Sequence, residues 1–150
     1  MTGRRQYRSP HREDLAYLTL ERLRWGDEPT CAHCDSTEHV VFFEPRDERG
    51  RRDARGHWSR RRVWKCYDCG AQFTVTVGTV MHGSHLPLWI WLDLARRVQS
   101  EDGLPTPRSL VSAYGISERT AYRLRDLVVG DLDAEGSLLG AYALETAVRA

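Results

Sequence analysis

Two Cys-x-x-Cys pairs, Cys31 with Cys34 and Cys66 with Cys69, constrain this chain more than anything else in it. Four soft thiolates in two tight turns can close a tetrahedral site around one metal ion, and zinc is the ion expected. The pairs sit in turn-like contexts, Pro29-Thr30-Cys31-Ala32-His33-Cys34-Asp35-Ser36 and Trp64-Lys65-Cys66-Tyr67-Asp68-Cys69-Gly70-Ala71, which read as two zinc knuckles. The 31 residues between them make a long connection. Loop closure costs only about 0.6 kcal/mol per doubling of length, so the site survives it. Two disulfides, a thioredoxin-type redox pair or unrelated buried thiols fit less well. No apolar leader opens the chain, and neither pair stands between a strand and a helix. Four thiolates leave no position open for water, so the ion is expected to hold the fold and do no chemistry. Such binding is worth about 10 to 16 kcal/mol at neutral pH, as much as a small domain's whole stability or more.

A chain of 150 residues can hold a metal-stapled module and a second core. The net charge of +1 hides a polarised sequence. Residues 46–65 hold eight arginines and Lys65 against Asp47, Glu48 and Asp53, a balance of 9 − 3 = +6. The end of the chain leans acidic, with Asp126, Asp131, Asp133, Glu135 and Glu145 against Arg149. This polarity is a footprint of nucleic-acid binding, although a solvated loop has the same composition. No stretch is long and apolar enough to span a bilayer, and the expected location is cytoplasmic and nucleoid-associated.

The fold class read from the pattern is α+β: an N-terminal helix, a small zinc ribbon built on a three-stranded antiparallel sheet, and a helix-turn-helix bundle. Residues 1–11 read as a flexible arm. Residues 12–25 read as an amphipathic helix, with Leu15, Ala16, Leu18, Leu20, Leu23 and Trp25 on a stripe that packs on the zinc module. Residues 26–85 form the ribbon, its strands expected over 38–43, 61–65 and 72–77, where Phe73, Val75 and Val77 alternate with polar residues. An arginine-rich insert, 44–62, is expected as a long hairpin or loop, in which Trp58 either stacks on a base or packs on the sheet. His82 and His85 are ligand types, but the four thiolates already satisfy the ion.

The second core is expected over 86–130, opening with the apolar helix that carries Trp89, Ile90, Trp91 and Leu94. A helix over about 107–114 then ends at Gly115, Ile116 is buried, and Ser117 caps a further helix running to about Val129. This is the grammar of a helix-turn-helix, with small Ala121 where the helices cross. Ser117, Arg119, Thr120, Tyr122 and Arg123 would lie on the outward face, and the i, i+4 spacing of Arg119 and Arg123 points both the same way. A plain helical hairpin with a charged solvated face would show the same letters. Residues 131–150 read as a C-terminal helix that either caps this core or forms a seam for a homodimer.

Taken together, Arg24-Trp25-Gly26-Asp27, the two knuckles with the following Gln72-Phe73-Thr74-Val75, and Gly78-Thr79-Val80 leading to Gly83-Ser84-His85-Leu86-Pro87-Leu88 resemble the N-terminal region of insertion-sequence zinc-ribbon transposases. The likeness covers residues 12 to 128. It implies one structural zinc on Cys31, Cys34, Cys66 and Cys69, and recognition of transposon-end DNA. The same transposases continue into a ribonuclease-H-like domain whose acidic triad holds divalent metals. Asp131, Asp133 and Glu135 lie in a short acidic tail without strands to assemble such a site, so no catalytic residue is assigned and a non-enzyme is expected. The insert has no counterpart in that family.

Double-stranded DNA is therefore the expected partner, with Arg51, Arg52, Arg55, Arg60 and Arg61 as phosphate contacts beside the helical residues named above. The expected role is that of a transcriptional regulator or a phage or bacterial DNA-binding factor. The alternatives are an adaptor that docks on RNA polymerase or a transposase subunit, and one part of a truncated or split transposase.

Overall fold

The computed structural model describes residues 9–100 and 102–149. Among them the chain forms a mixed α+β structure of five helices, a three-stranded antiparallel sheet and a second, two-stranded sheet. The arm expected over 1–11 lies outside the described residues except for its last three. Those three start the first helix, α1, at Pro10–Trp25: Ser9 is the N-cap, its hydroxyl accepting from the Arg12 N–H, and Pro10 occupies a first-turn position where it gives up no hydrogen bond.

The stripe assigned to α1 requires correction. Ala16, Tyr17 and Leu20 are its buried apolar residues, whereas Leu15 and Leu18 are about half exposed. The buried face joins the helical core, while Glu21 and Trp25 reach the ribbon, Arg24 its exit and Asp14 the insert. Helical geometry explains this: positions 16, 17 and 20 fall on one side of the cylinder, and 15 and 18 turn away.

The three-stranded sheet has the order β1, β4, β5, with β1 at Val40–Phe43, β4 at Val63–Cys66 and β5 at Gln72–Phe73. Phe42 faces Trp64 across the first pair, and Trp64 faces Phe73 across the second. The strand expected over 72–77 stops after two residues. Thr74–Val77 turn instead, because the backbone is captured by other groups: Arg24 Nη1 donates to the carbonyls of Val75 and Val77 at 2.6 Å each, and the Val77 N–H goes back to Thr74 O. Val75 is thereby drawn into the helical core.

The insert forms its own hairpin, β2 at Arg51–Arg52 with β3 at Trp58–Ser59. Asp53 builds the turn, its Oδ1 accepting from the N–H groups of Arg55 and His57 at 2.9 Å each. Gly50 is required at the hairpin root, since a Cβ there would stand 2.1 Å from the Ser59 carbonyl oxygen.

Helix α2, Leu88–Gln99, is the spine of the larger core, burying Leu88, Trp89, Ile90, Trp91, Leu92, Leu94 and Ala95. Pro87 at its N-cap has no side chain to satisfy the first N–H groups. Glu13 of α1 supplies the cap from far away in sequence, accepting from Leu88 N at 3.0 Å and Trp89 N at 3.1 Å. Helix α3, Pro107–Tyr114, begins at Thr106, whose hydroxyl accepts from Ser109 N. It closes at left-handed Gly115, whose N–H bonds to Val111 O. Tyr114 Oη donates to Asp93 Oδ2 at 2.6 Å, fastening α3 to α2. Helix α4, Glu118–Leu132, and helix α5, Leu138–Arg149, complete the bundle. Helix α4 runs three residues past the expected Val129, burying Val128 and packing Leu132 against the core. No helix of the described residues is long and apolar enough to cross a membrane.

Candidate metal centre and nucleic-acid interface

The knuckles are built alike. Cys31 N donates to Ser36 O at 2.9 Å, and Cys66 N donates to Ala71 O at 3.0 Å. Asp35 N donates to Cys31 O at 3.1 Å, and Gly70 N to Cys66 O at 2.8 Å. The residue after each second cysteine takes a positive φ, 62° at Asp35 and 78° at Gly70. Glycine does so without strain, and an aspartate tolerates it better than most residues. This reversal points both sulfurs of a pair at one spot. Cross-links then set the pairs together: Asp68 accepts from the Ser36 hydroxyl and binds His39 Nδ1 at 2.8 Å, while Tyr67 N donates to His39 O.

The outcome is four Sγ atoms all within 4.8 Å of one another, with Cys31 to Cys69 and Cys34 to Cys66 both 3.6 Å apart. Zinc–sulfur bonds of about 2.3 Å in a tetrahedron require sulfurs about 3.8 Å apart, so the cluster fits the ion with little adjustment. Cys31, Cys34, Cys66 and Cys69 thus form a closed site for one structural zinc.

Their acidities make the same point. Burial opposes ionisation of Cys31, but the N–H groups of His33 and Cys34 and the neighbouring sulfurs bring its thiol down to about 7. At Cys34 the Ser36 N–H favours the thiolate, yet burial and the sulfurs of Cys66 and Cys31 push it up to about 12.

Around the sulfurs, Trp25 of α1 meets Trp64 and Phe73 edge-on at 5.7 and 5.8 Å between ring centroids. Such pairs add about 0.5–1.5 kcal/mol each beyond their burial. Glu21 accepts from Trp64 Nε1 at 2.8 Å and pairs with Arg62 at 3.0 Å. Cys31 and Cys66 are buried, while Cys34 and Cys69 lie at the surface.

The helical face has a different character. Ser117, Arg119, Tyr122 and Arg123 are exposed along α4, and Thr120 is half-buried. The Ser117 hydroxyl is occupied by capping, accepting from Thr120 N at 3.2 Å and donating to Thr120 Oγ1 at 2.9 Å. The hydroxyls of Ser117 and Thr120 therefore serve each other and position the helix, while Arg119, Tyr122 and Arg123 extend outward. Arg125, which the sequence reading passed over, binds Pro105 O at 3.2 Å and lies 5.7 Å from the Tyr122 ring centre.

The insert arginines divide by partner. Arg60 pairs with Asp14 of α1 at 2.8 Å and also donates to the Glu48 carbonyl, which pins the hairpin root to the helix. Its head group is thus engaged within the fold. Arg51 lies over the Phe43 ring at 5.1 Å and Arg52 over Trp58 at 4.9 Å, while Arg55 and Arg61 are exposed. Arg49 also lies on Trp58, at 4.1 Å, so this indole carries two guanidiniums and serves as their rest. Asp14, Glu21 and Asp68 help hold this region together and Glu13 caps α2, bonds that their places in the sequence do not disclose. Their partners lie 29 to 76 positions away.

No curated protein and no solved structure matches the chain. Residues 11–72, from the first turn of α1 into β5 and including all four cysteines, match the family model described as a transposase zinc-ribbon domain, and this part of the chain is similar to the zinc ribbons of transposases.

Proposed function

We propose that the chain is a DNA-binding module of transposase-recognition type, in which the zinc ribbon and the helical bundle together present one face to duplex DNA. The supporting observation is a conjunction. A transposase-type zinc ribbon is joined through α1 to a helix–turn–helix whose second helix is capped by Ser117 and carries Arg119 and Arg123 outward. An exposed helix of this kind fits the major groove, where a guanidinium can reach the O6 and N7 acceptors of guanine. The matched domain is a ribbon, with its metal site closed, and the role we assign is recognition without catalysis. In a bacterial or phage setting, a module of this type acts in the cytoplasm on the nucleoid, as a transcriptional regulator or as the recognition part of a split transposase. An adaptor role is the second reading. It is favoured by one observation: Leu144 and Val148, one turn apart on α5, are 67% and 85% exposed and offer an apolar strip to a partner protein or a second copy.

Selection of bound fragments from a genomic library, followed by gel shifts, tests the first reading. A single enriched site is expected. Arg119→Ala and Arg123→Ala should each cost roughly 1–3 kcal/mol on that site and little on random duplex. Equal, weak binding to every duplex, unaffected by either change, would reject base reading by α4.

A further inference from the structure

The insert holds more positive charge than its own neighbours can balance. Of its eight arginines, three have an acid partner: Arg49 with Asp47, Arg60 with Asp14, and Arg62 with Glu21. Arg46, Arg51, Arg52, Arg55 and Arg61 have no ion pair among the described residues. Asp53, a further carboxylate of the insert, faces the N–H groups of its own turn and His57.

Arg51 is the sharpest case. Its Nε and Nη2 are shut off from solvent against the hairpin root and make no hydrogen bond, which leaves Nη1 as the nitrogen open to solvent. A buried charged donor without an acceptor is costly. Burial makes its proton easier to lose, and the charge of nearby Arg61 adds to that effect. The Arg51 guanidinium lies on the Phe43 ring, its strand sets it opposite Ser59, and neither it nor Arg61 has an ion pair with a carboxylate among the described residues. Arg61 follows Ser59 by two residues, and its N–H is tied to the Ser59 hydroxyl. A ring contact holds the Arg51 head group and a backbone hydrogen bond holds the Arg61 main chain, while neither charge is used in an ion pair within the described residues.

We propose that Arg51 and Arg61 form a seat for a phosphate group, filled by a phosphodiester of the nucleic-acid backbone. Arg51 can offer only its Nη1 to a phosphate oxygen while the exposed Arg61 can offer its head group, and a row of arginines without ion pairs suits a polymer with one charge per nucleotide. This assignment rests on the duplex reading given above and divides its labour. The insert grips the backbone regardless of sequence, and α4 reads the bases.

The full-length, zinc-loaded protein is compared with Arg51→Met, which keeps an apolar stem over Phe43, and with Arg61→Gln at an exposed position, zinc content confirming that each is folded. Three probes are used: a random-sequence duplex across about 50 to 200 mM salt, inorganic tripolyphosphate, and an acidic poly-glutamate peptide. The expected result is that both variants weaken binding to every duplex by the same factor. Each phosphate lost should also flatten the salt slope by roughly 0.9. Duplex binding that is unchanged in affinity and slope in both variants overturns the seat. If the wild-type protein binds no duplex, the DNA reading fails on its own account. Tripolyphosphate shifting the Nε–H resonances of Arg51 and Arg61 would then retain the phosphate seat and replace its source. Absence of that shift, or a response to poly-glutamate alone, overturns the seat as well.

Discussion

The ribbon and the bundle are held together in different ways. Around the sulfurs, the buried set is Cys31, Cys66 and Phe73, with Trp25, Val40, Trp64 and a few others packed on it. The helical core buries nineteen residues among those described, from Ala16 to Leu139. Burial at about 25 cal/mol per Å² can carry the second region, but three residues cannot carry the first. The difference shows what the metal is for: in the ribbon, coordination does the work that apolar packing does elsewhere. Helix α1 belongs to both regions. It lends Ala16, Tyr17 and Leu20 to the bundle, and Glu21, Arg24 and Trp25 to the ribbon and its exit.

The largest expected effect separates the two directly. Zinc removal with a strong chelator should unfold the ribbon, since coordination is worth about 10–16 kcal/mol, and leave most of the helical circular dichroism intact. If chelation melts the helices with the ribbon, α1 couples the regions tightly enough to make them one cooperative unit. Next in size, Leu94→Ala, at a fully buried site of α2, should cost about 2–5 kcal/mol in denaturant melts. The thiolate-to-metal charge-transfer band of the cobalt-substituted protein should persist in that variant. Loss of the band at native conditions would merge the two regions again.

A smaller effect concerns the joint. Burial raises the Glu13 carboxyl to about 7, even though the Leu88 and Trp89 N–H groups favour its ionised form. Its value in the unfolded chain is near 4.5, so between these limits the folded protein binds the extra proton. Stability therefore falls as pH rises from about 4.5 to 7, by up to about 3 kcal/mol. Glu13→Gln keeps an acceptor for the cap and should flatten this dependence in melts taken across the window. An unchanged slope in the variant would show that the proton resides on another group.

Sequence reading succeeded where chemistry is local. The Cys-x-x-Cys pairs, the stop at Gly115 and the cap at Ser117 are each decided within a few residues, and all appear where they were expected. It failed where the deciding partner is remote. The alternation of Phe73, Val75 and Val77 suggests a strand, but Arg24, some fifty residues earlier, takes the carbonyls a strand would need. The expected stripe of α1 holds at Ala16 and Leu20, but the geometry of the bundle takes Tyr17 in place of Leu15 and Leu18. Within the insert, Arg60 and Arg61 are neighbours of one type. Only the position of Asp14 engages the first and leaves the second exposed.

The register of the ribbon carries a consequence for how such a protein can change. Phe43 and Val63 face each other across adjacent strands, so the whole arginine hairpin departs from and returns to the sheet at neighbouring points. A two-residue type I′ turn would join the same strands. Trimming or exchanging the segment would keep the two strand ends side by side at the metal cage and give up the Arg60–Asp14 tie to α1. The ribbon thus behaves as a handle with an interchangeable head, open to being refitted for a different grip while its grasp on the ion stays the same.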